Sequence, residues 1–193
     1  MKTDIILAGV GGQGILSIAS ILGDAVLMEN LHLKQAETHG MSQRGGAVVS
    51  HLRISDKTIY SDLIPQGTAD LILAVEPMEV LRYLPFLKPD GYIVTNTTPF
   101  QNIDNYPNSD EIIAEVRKQP RHVAIDADDI ASEIGNKKVS NTVMLGAATP
   151  FIQIAPEKIE EGIKHVFGKK GSEIVSLNID AFRAGRQFAL KNI

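Results

Sequence analysis

The segment that most constrains this chain is its first predicted strand and the glycine-rich loop after it, residues 4–16. Residues 5–8 form a short apolar run, which is typical of a strand buried on both faces of a parallel sheet. The run leads into GVGGQG at residues 9–14, after which apolar residues recur at helical intervals. A strand, a glycine loop and a helix in this order are the parts of a dinucleotide-binding fingerprint. The sequence therefore predicts an α/β fold with an anion-binding loop.

Each glycine of the loop has an expected role in that fingerprint. Gly9 would allow a tight turn, Gly11 a close approach of the backbone to a ligand, and Gly14 close packing of helix on strand. Together with Gly12 and Gln13, the loop would present bare N–H groups and the positive helix end to a phosphate. The alternative is that the glycines only let the first helix pack against the sheet.

The second half of the fingerprint is an acid that binds a ribose at the end of the second strand. That strand is expected over residues 31–35, and Glu37 is the only acid near its end. The sequence thus supports NAD binding less well than it supports binding of an anion.

Composition bounds the class of protein. The 193 residues suit one domain, 1–193, and 44% hydrophobic and 22% charged residues are typical of a soluble globular protein. A net charge of −4 without basic clusters argues against nucleic acid as a partner. The sequence has neither an apolar run of the roughly 20 residues that span a membrane nor the profile of a signal peptide, so we expect a cytoplasmic location.

Cysteine is absent from the sequence. The chain therefore cannot form a disulfide, use a thiol nucleophile or hold a cysteine-ligated iron–sulfur cluster. The five histidines show no paired metal-ligand spacing, and we expect no metal site.

The order of the predicted elements indicates a single-domain, Rossmann-like α/β fold with a mostly parallel sheet, an antiparallel flap and C-terminal helices. The flap is expected from an alternating strand at 47–54, a turn at 55–57 and a short return strand at 58–60. A helix from residue 140 is rich in small residues around Gly146. We expect it in a tight packing position, either under the sheet or at a subunit contact.

Several polar groups follow predicted strands, where ligands bind in such sheets. Glu76 could face a ligand or act as an acid at a helix N-terminus, and residues 96–99 form a second candidate ligand edge. Three acids at 126, 128 and 129 are interpreted as helix-capping groups rather than metal ligands. His51 is interpreted as a strand-surface residue, and no residue is assigned as a catalytic base.

The most unusual stretch is ETHGMSQRGG at residues 37–46, which is polar, rich in glycine and flanked by apolar strands. Its place after the second strand predicts that it lies at the same sheet edge as the glycine loop. It is either a surface turn or a contact with a ligand or another subunit, and the variety of its polar groups favours a contact.

Four motifs in this order resemble one family: GVGGQG at 9–14, ETHGMSQRGG at 37–46, NTVMLG at 141–146, and the late Asn178, Ala181, Phe182 and Gly185. The chain resembles, over nearly its whole length, the gamma-type subunit or domain of 2-oxoacid:ferredoxin oxidoreductases. The segment HGMSQRGG is most similar to the beta subunits of indolepyruvate ferredoxin oxidoreductases.

The resemblance implies a role inside a larger enzyme that oxidatively decarboxylates a 2-oxoacid, such as indolepyruvate, to an acyl-CoA and passes electrons to ferredoxin. Thiamine diphosphate and iron–sulfur clusters perform that chemistry in the family. This chain has neither cysteine nor a thiamine diphosphate motif. A large partner subunit is therefore expected to hold thiamine diphosphate and the iron–sulfur clusters and to contact ferredoxin. A contact between two copies of the chain is a further expectation.

The resemblance also implies candidate site residues. The equivalent domain of single-chain relatives is associated with coenzyme A, which makes residues 9–14 a candidate for a coenzyme A phosphate. Arg44 is a candidate for a second phosphate or a substrate carboxylate, with a surface ion pair as the alternative. His39, Ser42 and Gln43 are expected at the interface with the thiamine-bearing subunit. Asn141 is a candidate for the same surface or a helix cap.

Two functions of other classes remain open from the sequence. One is a free-standing NAD-dependent dehydrogenase, which needs a ribose acid and an acid/base group that are not evident. The other is a non-catalytic nucleotide-binding or assembly module. The residues do not fix which 2-oxoacid is used.

Overall fold

The computed structural model of the chain describes residues 1–39, 46–101, 103 and 105–193. These residues form six strands: β1 (Lys2–Val10), β2 (His32–His39), β3 (Ala47–Ser55), β4 (Ala69–Ala74), β5 (Leu87–Asn96) and β6 (His122–Ile125). They also form seven α-helices: α1 (Ile15–Met28), α2 (Pro77–Tyr83), α3 (Ser109–Arg117), α4 (Ala127–Glu133), α5 (Ser140–Ala148), α6 (Pro156–Phe167) and α7 (Ser172–Lys191). Short 3-10 helices lie at Leu84–Phe86, Lys137–Val139, Thr149–Phe151 and Gly168–Lys170.

The strands form one sheet in the order β2-β3-β1-β4-β5-β6. β1, β4, β5 and β6 are parallel neighbours, whereas β3 runs antiparallel to both β1 and β2. The predicted mostly parallel α/β sheet with an antiparallel part is therefore confirmed. The antiparallel part is built differently from the prediction, because β2 and β3 form it. Residues 58–60 form no strand, since both edges of β3 are already paired.

The position of β3 also separates β2 from the glycine loop. β3 lies between β1 and β2, so β2 is two strands, or about 10 Å, away from β1. Glu37 lies on β2, where the side-chain nitrogen Nε2 of Gln35 donates to its carboxylate at 3.2 Å. The prediction that Glu37 could act as a ribose acid beside the loop is wrong, because the neighbouring parallel strand of β1 is β4.

The sheet has an unequal cover on its two faces. Alternate residues of β1 point to opposite sides, with Ile5 and Leu7 in one core and Ile6 and Ala8 in the other. The first core is closed by α1, α4, α5, α6 and α7. The second is smaller and is closed by α2, α3 and the loop of residues 56–68. Among the described residues, no helix is both long and apolar enough to cross a bilayer.

The loop of residues 56–68 is held against the sheet by charged and polar contacts. The Arg53 guanidinium pairs with the fully buried Asp4 carboxylate at 2.9 and 3.2 Å. The same guanidinium donates to the Ser61 and Leu63 carbonyls, both at 3.0 Å. The Ile64 amide donates to His51 Nδ1 at 3.1 Å. The loop therefore replaces the predicted return strand as the cover of β3.

Helices α5 and α7 cross with their backbones in contact. A Cβ added at Gly146 would lie 2.0 Å from the Phe182 carbonyl oxygen, and one at Gly185 would lie 1.9 Å from that of Val143. Phe182 itself is 1% exposed, and burial of such a side chain contributes roughly 2–3 kcal/mol. The small residues of α5 thus permit a close crossing inside the chain, under the sheet, which was the first of the two predicted positions.

Candidate functional site

The glycine loop joins β1 to α1 and is shaped by two left-handed residues. Gly12 and Gly14 have φ angles of 103° and 80°, a region in which side chains with a Cβ are strained. Gly9 instead lies within β1, where an added Cβ would be 2.4 Å from Val75 Cγ2. The tight-turn role predicted for Gly9 is therefore wrong, and its need for glycine comes from this close contact with the end of β4.

Gln13 fixes the loop to the sheet. Its side-chain oxygen Oε1 accepts a hydrogen bond from the Val10 amide at 2.9 Å, and its Nε2 donates to the Val75 carbonyl at 3.3 Å. One side chain therefore bridges the carboxyl ends of β1 and β4. This explains why the loop carries a glutamine among its glycines.

Part of the predicted set of bare amides is used within the chain. The Gly11 amide donates to the Gly46 carbonyl at 2.9 Å, and the Gln13 amide donates to Val10 at 3.2 Å. Within the described part of the chain, the amides of Gly12 and Gly14 make no hydrogen bond. The loop amides left for the predicted anion contact are thus those of Gly12 and Gly14, at the N-terminus of α1.

Asn141 ties the loop to α5. Its Nδ2 donates to the Gly14 carbonyl at 3.3 Å, and Val139 occupies the N-cap position of α5. The helix-cap interpretation of Asn141 is therefore wrong, because its side chain points to the loop rather than to its own helix. The space beside Gly14 is taken by Asn141, 2.4 Å from where a Cβ would stand, so Gly14 serves this contact and not helix-on-strand packing.

The next residue continues this connection to α7. Thr142 Oγ1 donates to Asn178 Oδ1 at 2.7 Å, and Asn178 Nδ2 donates to the Ile174 carbonyl at 2.8 Å. Both side chains are buried. Buried polar groups joined in this way rigidify their surroundings. Two of the sequence motifs, NTVMLG and the late asparagine, therefore form one support behind the glycine loop.

A cleft of about 660 Å³ opens beside the glycine loop, at the carboxyl ends of β1, β4 and β5. This is the edge at which ligands bind in open α/β sheets, and the volume is that of a small-molecule site. The predicted residues Gly12, Gln13, Gly14 and Asn141 all line it. Asn96, the first residue of the second candidate ligand edge, lines it too, and so does Phe100, one residue beyond that edge.

Of the predicted interface residues other than Asn141, the structure describes His39 alone. His39 is the last residue of β2, and its backbone is paired with Val48 of β3. Ser42, Gln43 and Arg44 lie outside the described residues, so their predicted contacts remain predictions.

The cleft also contains charged residues that sequence reasoning missed. Lys137, Lys138 and Lys170 line it, and Asp128 is the acidic residue in the same lining. Both 3-10 turns that carry these lysines contain a Lys-Lys pair, and the sequence has no other such pair. That repeated dipeptide was the available signal, but nothing in the sequence indicated that the two turns would meet.

Asp128 belongs to the acidic group at the start of α4. Asp126 is the N-cap residue of α4 and accepts from the Asp129 amide at 2.9 Å, which confirms its predicted capping role. Asp128 accepts from Asn96 Nδ2 at 2.7 Å, and the Asn96 oxygen in turn accepts from the Ala127 amide at 3.1 Å. No group of three potential metal ligands is found among the residues that the structure describes.

Glu76 and His51 are not among the residues that line the cleft. Glu76 is the N-cap of α2, where it accepts from the Glu79 amide at 3.2 Å and from the Tyr106 hydroxyl. Of its two predicted roles, the helix N-terminal acid is therefore correct. Burial and this hydrogen bond raise the pKa of Tyr106, and burial raises the pKa of Glu79. His51 is half-buried and contacts Phe86 edge to face at 5.4 Å.

Comparison with known proteins finds a family and relatives that match nearly the whole chain. The profile of a family described as pyruvate ferredoxin/flavodoxin oxidoreductase matches residues 4–188. An indolepyruvate oxidoreductase subunit IorB from Archaeoglobus fulgidus is 37% identical over 98% of this chain and 96% of its own length. The subunit of that name from Pyrococcus horikoshii is 38% identical over 94% and 93%.

Solved structures agree in fold. A 2-oxoglutarate:ferredoxin oxidoreductase from Magnetococcus marinus, with 2-oxoglutarate, coenzyme A and succinyl-CoA bound, superposes with a TM-score of 0.79 at 24% identity. The match covers 98% of this chain but 31% of that larger chain. A keto/oxoacid ferredoxin oxidoreductase gamma subunit from Geobacter sulfurreducens matches with a TM-score of 0.71 at 25% identity, over 98% and 99% of the two chains. The resemblance predicted from the sequence motifs is confirmed.

Proposed function

The chain belongs to the pyruvate ferredoxin/flavodoxin oxidoreductase family, and from that membership we propose that it is the cluster-free subunit of a 2-oxoacid:ferredoxin oxidoreductase. The proposed substrate is an aryl pyruvate such as indolepyruvate. The complex would decarboxylate this acid oxidatively, transfer the acyl group to coenzyme A and pass the electrons to ferredoxin. The observation that carries the proposal is the end-to-end similarity to subunits named for indolepyruvate, at 37% and 38% identity.

The composition of the chain determines what the partner has to supply. The sequence has no cysteine, so thiolate ligands for iron–sulfur clusters must come from another subunit. We propose that one large partner holds both these clusters and thiamine diphosphate and contacts ferredoxin. A cytoplasmic location and a contact between two copies of the chain stay as predictions.

The cleft fits coenzyme A as the ligand of this chain. Coenzyme A is a polyanion, and the cleft combines three lysines with the amides of Gly12 and Gly14, which donate to none of the described residues. The carboxylate of Asp128 adds a hydrogen-bond acceptor for ribose or adenine donors. When bound, coenzyme A supplies the thiol that accepts the acyl group, and this chain's residues would hold and orient its phosphates. The catalytic groups would then lie in the partner.

The experiment is an anaerobic co-purification from source extract, followed by dye reduction dependent on 2-oxoacid and coenzyme A. We expect a brown partner chain to co-purify and indolepyruvate-dependent reduction to be lost when this chain is removed. A chain that finds no partner, shows no activity in any mixture and binds NAD tightly by itself would contradict the proposal. That result would leave the nucleotide-binding module or the dehydrogenase.

A further inference from the structure

The cleft has a local charge of opposite sign to the chain. Among the described residues, three lysines and one carboxylate line it, in a chain whose net charge is −4. Lys137 and Lys138 come from the 3-10 helix before α5, and Lys170 from the 3-10 helix before α7. Like charges in a concave site with low-dielectric walls focus the field and raise the local concentration of an anion.

These lysines are positioned by their own turns. Asn136 Oδ1 accepts from the Lys138 amide at 3.0 Å, and the next residue, Val139, is buried at 4% exposure. The Lys170 ammonium lies 5.1 Å from the centre of the Phe167 ring. Both turns are thus anchored to the core by one apolar side chain each, which fixes where the ammonium groups can reach.

The lysine charges are available to a ligand. Across the described ranges, no carboxylate lies within salt-bridge distance of Lys137, Lys138 or Lys170. Asp128, the acid among the described lining residues, accepts a hydrogen bond from Asn96 Nδ2 at 2.7 Å. An anion entering the cleft would therefore meet ammonium groups that no carboxylate of the described residues pairs with.

The two sides of the cleft suit two different phosphates. Backbone amides and a helix N-terminus, as at the glycine loop, bind pyrophosphate groups. A terminal phosphate monoester carries about −1.5 to −2 charges at pH 7, and lysine ammonium groups bind phosphate as point charges. Coenzyme A has both kinds of phosphate, a pyrophosphate bridge and a monoester on its ribose.

We propose that Lys137, Lys138 and Lys170 bind the ribose phosphate monoester of coenzyme A, while the glycine loop holds the pyrophosphate. The cleft then selects coenzyme A over 3′-dephospho-coenzyme A. This inference rests on the proposed function, since it presumes that the cleft binds coenzyme A.

The test is a calorimetric titration of the full-length chain, alone and in its anaerobic complex, with coenzyme A and with 3′-dephospho-coenzyme A. We expect the wild type to prefer coenzyme A by about tenfold or more, as for charge-assisted contacts. The double variant Lys137→Gln/Lys138→Gln and the single variant Lys170→Gln should weaken coenzyme A binding and leave dephospho-coenzyme A binding unchanged. Lys169→Gln is the matched control, because Lys169 is exposed and outside the cleft lining.

The pH gives a second readout that a merely structural role would not move. The second pKa of a phosphate monoester is about 6, so the wild-type preference should shrink between pH 8 and pH 5.5. The double variant, which keeps Lys170, should show a smaller change than the wild type.

The outcomes separate this inference from the proposed function. A wild type that binds both ligands equally, or a double variant that keeps the preference, would overturn the lysine assignment and leave the coenzyme A site. Variants that fail only to join the complex, with both dissociation constants of the isolated chain unchanged, would assign the lysines to the partner interface and also overturn it. A wild type that binds neither ligand in any form would overturn the coenzyme A proposal and this inference together.

Discussion

Gln13 connects two strands with a single side chain, and the shape of the glycine loop depends on it. Its oxygen and nitrogen each have a backbone partner, at Val10 and Val75. A leucine of similar size would remove both hydrogen bonds and leave a partly buried amide and carbonyl without partners. Loss of such contacts costs about 1–3 kcal/mol.

We therefore predict that Gln13→Leu lowers the free energy of unfolding by about 1–3 kcal/mol and weakens coenzyme A binding. Urea denaturation followed by circular dichroism measures the first effect, and calorimetry measures the second. Gln187→Leu is the control, since Gln187 is exposed on α7. Unchanged stability and affinity in Gln13→Leu would show that the loop keeps its shape without this side chain.

His51 gives a pH-dependent prediction. Burial lowers the pKa of His51, with Asp62 opposing and Arg53 adding to the shift. The Ile64 amide also needs an unprotonated Nδ1 as its acceptor. A folded-state pKa below the unfolded value of about 6.5 means that the unfolded chain binds the proton more readily. His51 therefore contributes stability that is full above that pH and is lost as the pH falls through its folded-state pKa.

Wild type should accordingly lose more stability between pH 7 and pH 5 than His51→Gln, which cannot titrate. Urea midpoints at pH 7, 6 and 5 test this. His165→Gln serves as the comparison, because its ring is exposed and lies 3.7 Å from Asp24. Equal slopes in wild type and His51→Gln would mean that protonation of His51 does not destabilise the fold.

At the scale of single residues, the sequence predicted the loop side of the cleft but not its opposite wall. Gly12, Gln13 and Gly14 were found because a strand, a glycine loop and a helix are adjacent in sequence. Lys137 and Lys170 are 33 positions apart, and only the packing of α5 and α7 brings their turns together. Local patterns carry no information on such a meeting.

At the scale of elements, the crossing of α5 and α7 supports the site from behind. A Cβ added at Gly146 would lie 2.0 Å from the Phe182 carbonyl oxygen. Because this neighbour is backbone, the helices would have to separate to admit a methyl group, and overpacking of this kind costs about 1–3 kcal/mol or more.

We predict that Gly146→Ala lowers the free energy of unfolding by roughly 3 kcal/mol, measured by chemical denaturation. Gly168→Ala is the matched control, since nothing lies within 4 Å of an added Cβ there and its φ is −53°. That substitution should be neutral or slightly stabilising. Comparable losses in the two variants would mean that the close crossing is not the reason for glycine at position 146.

The elements show where sequence reasoning failed and why. The period-2 alternation at 47–54 predicted β3, but alternation does not reveal which neighbour a strand takes. A return strand at 58–60 was expected from a local turn, whereas the observed partners of β3 are β1 and β2. Strand pairing is decided by tertiary packing. The same packing places β2, and with it Glu37, on the far side of β3 from β1 and the glycine loop.

At the scale of the whole molecule, the chain is one sheet with most of its helices on one face. Five helices pack on the face that carries the crossing of α5 and α7. Helices α2 and α3 and the loop of residues 56–68 cover the other face. The fold class was predictable because buried strands and amphipathic helices alternate along the sequence. Membership of the pyruvate ferredoxin/flavodoxin oxidoreductase family was predictable only from the motifs, because the composition by itself is that of an ordinary globular protein.

We propose that this chain supplies the coenzyme A site of a 2-oxoacid oxidoreductase whose remaining cofactors lie in its partner. The most direct measurement is the dissociation constant of coenzyme A for the purified partner with and without this chain, under anaerobic conditions. We expect saturable coenzyme A binding that requires this chain and is weakened by Gln13→Leu. Equally tight binding of coenzyme A to the partner alone would contradict the proposed site.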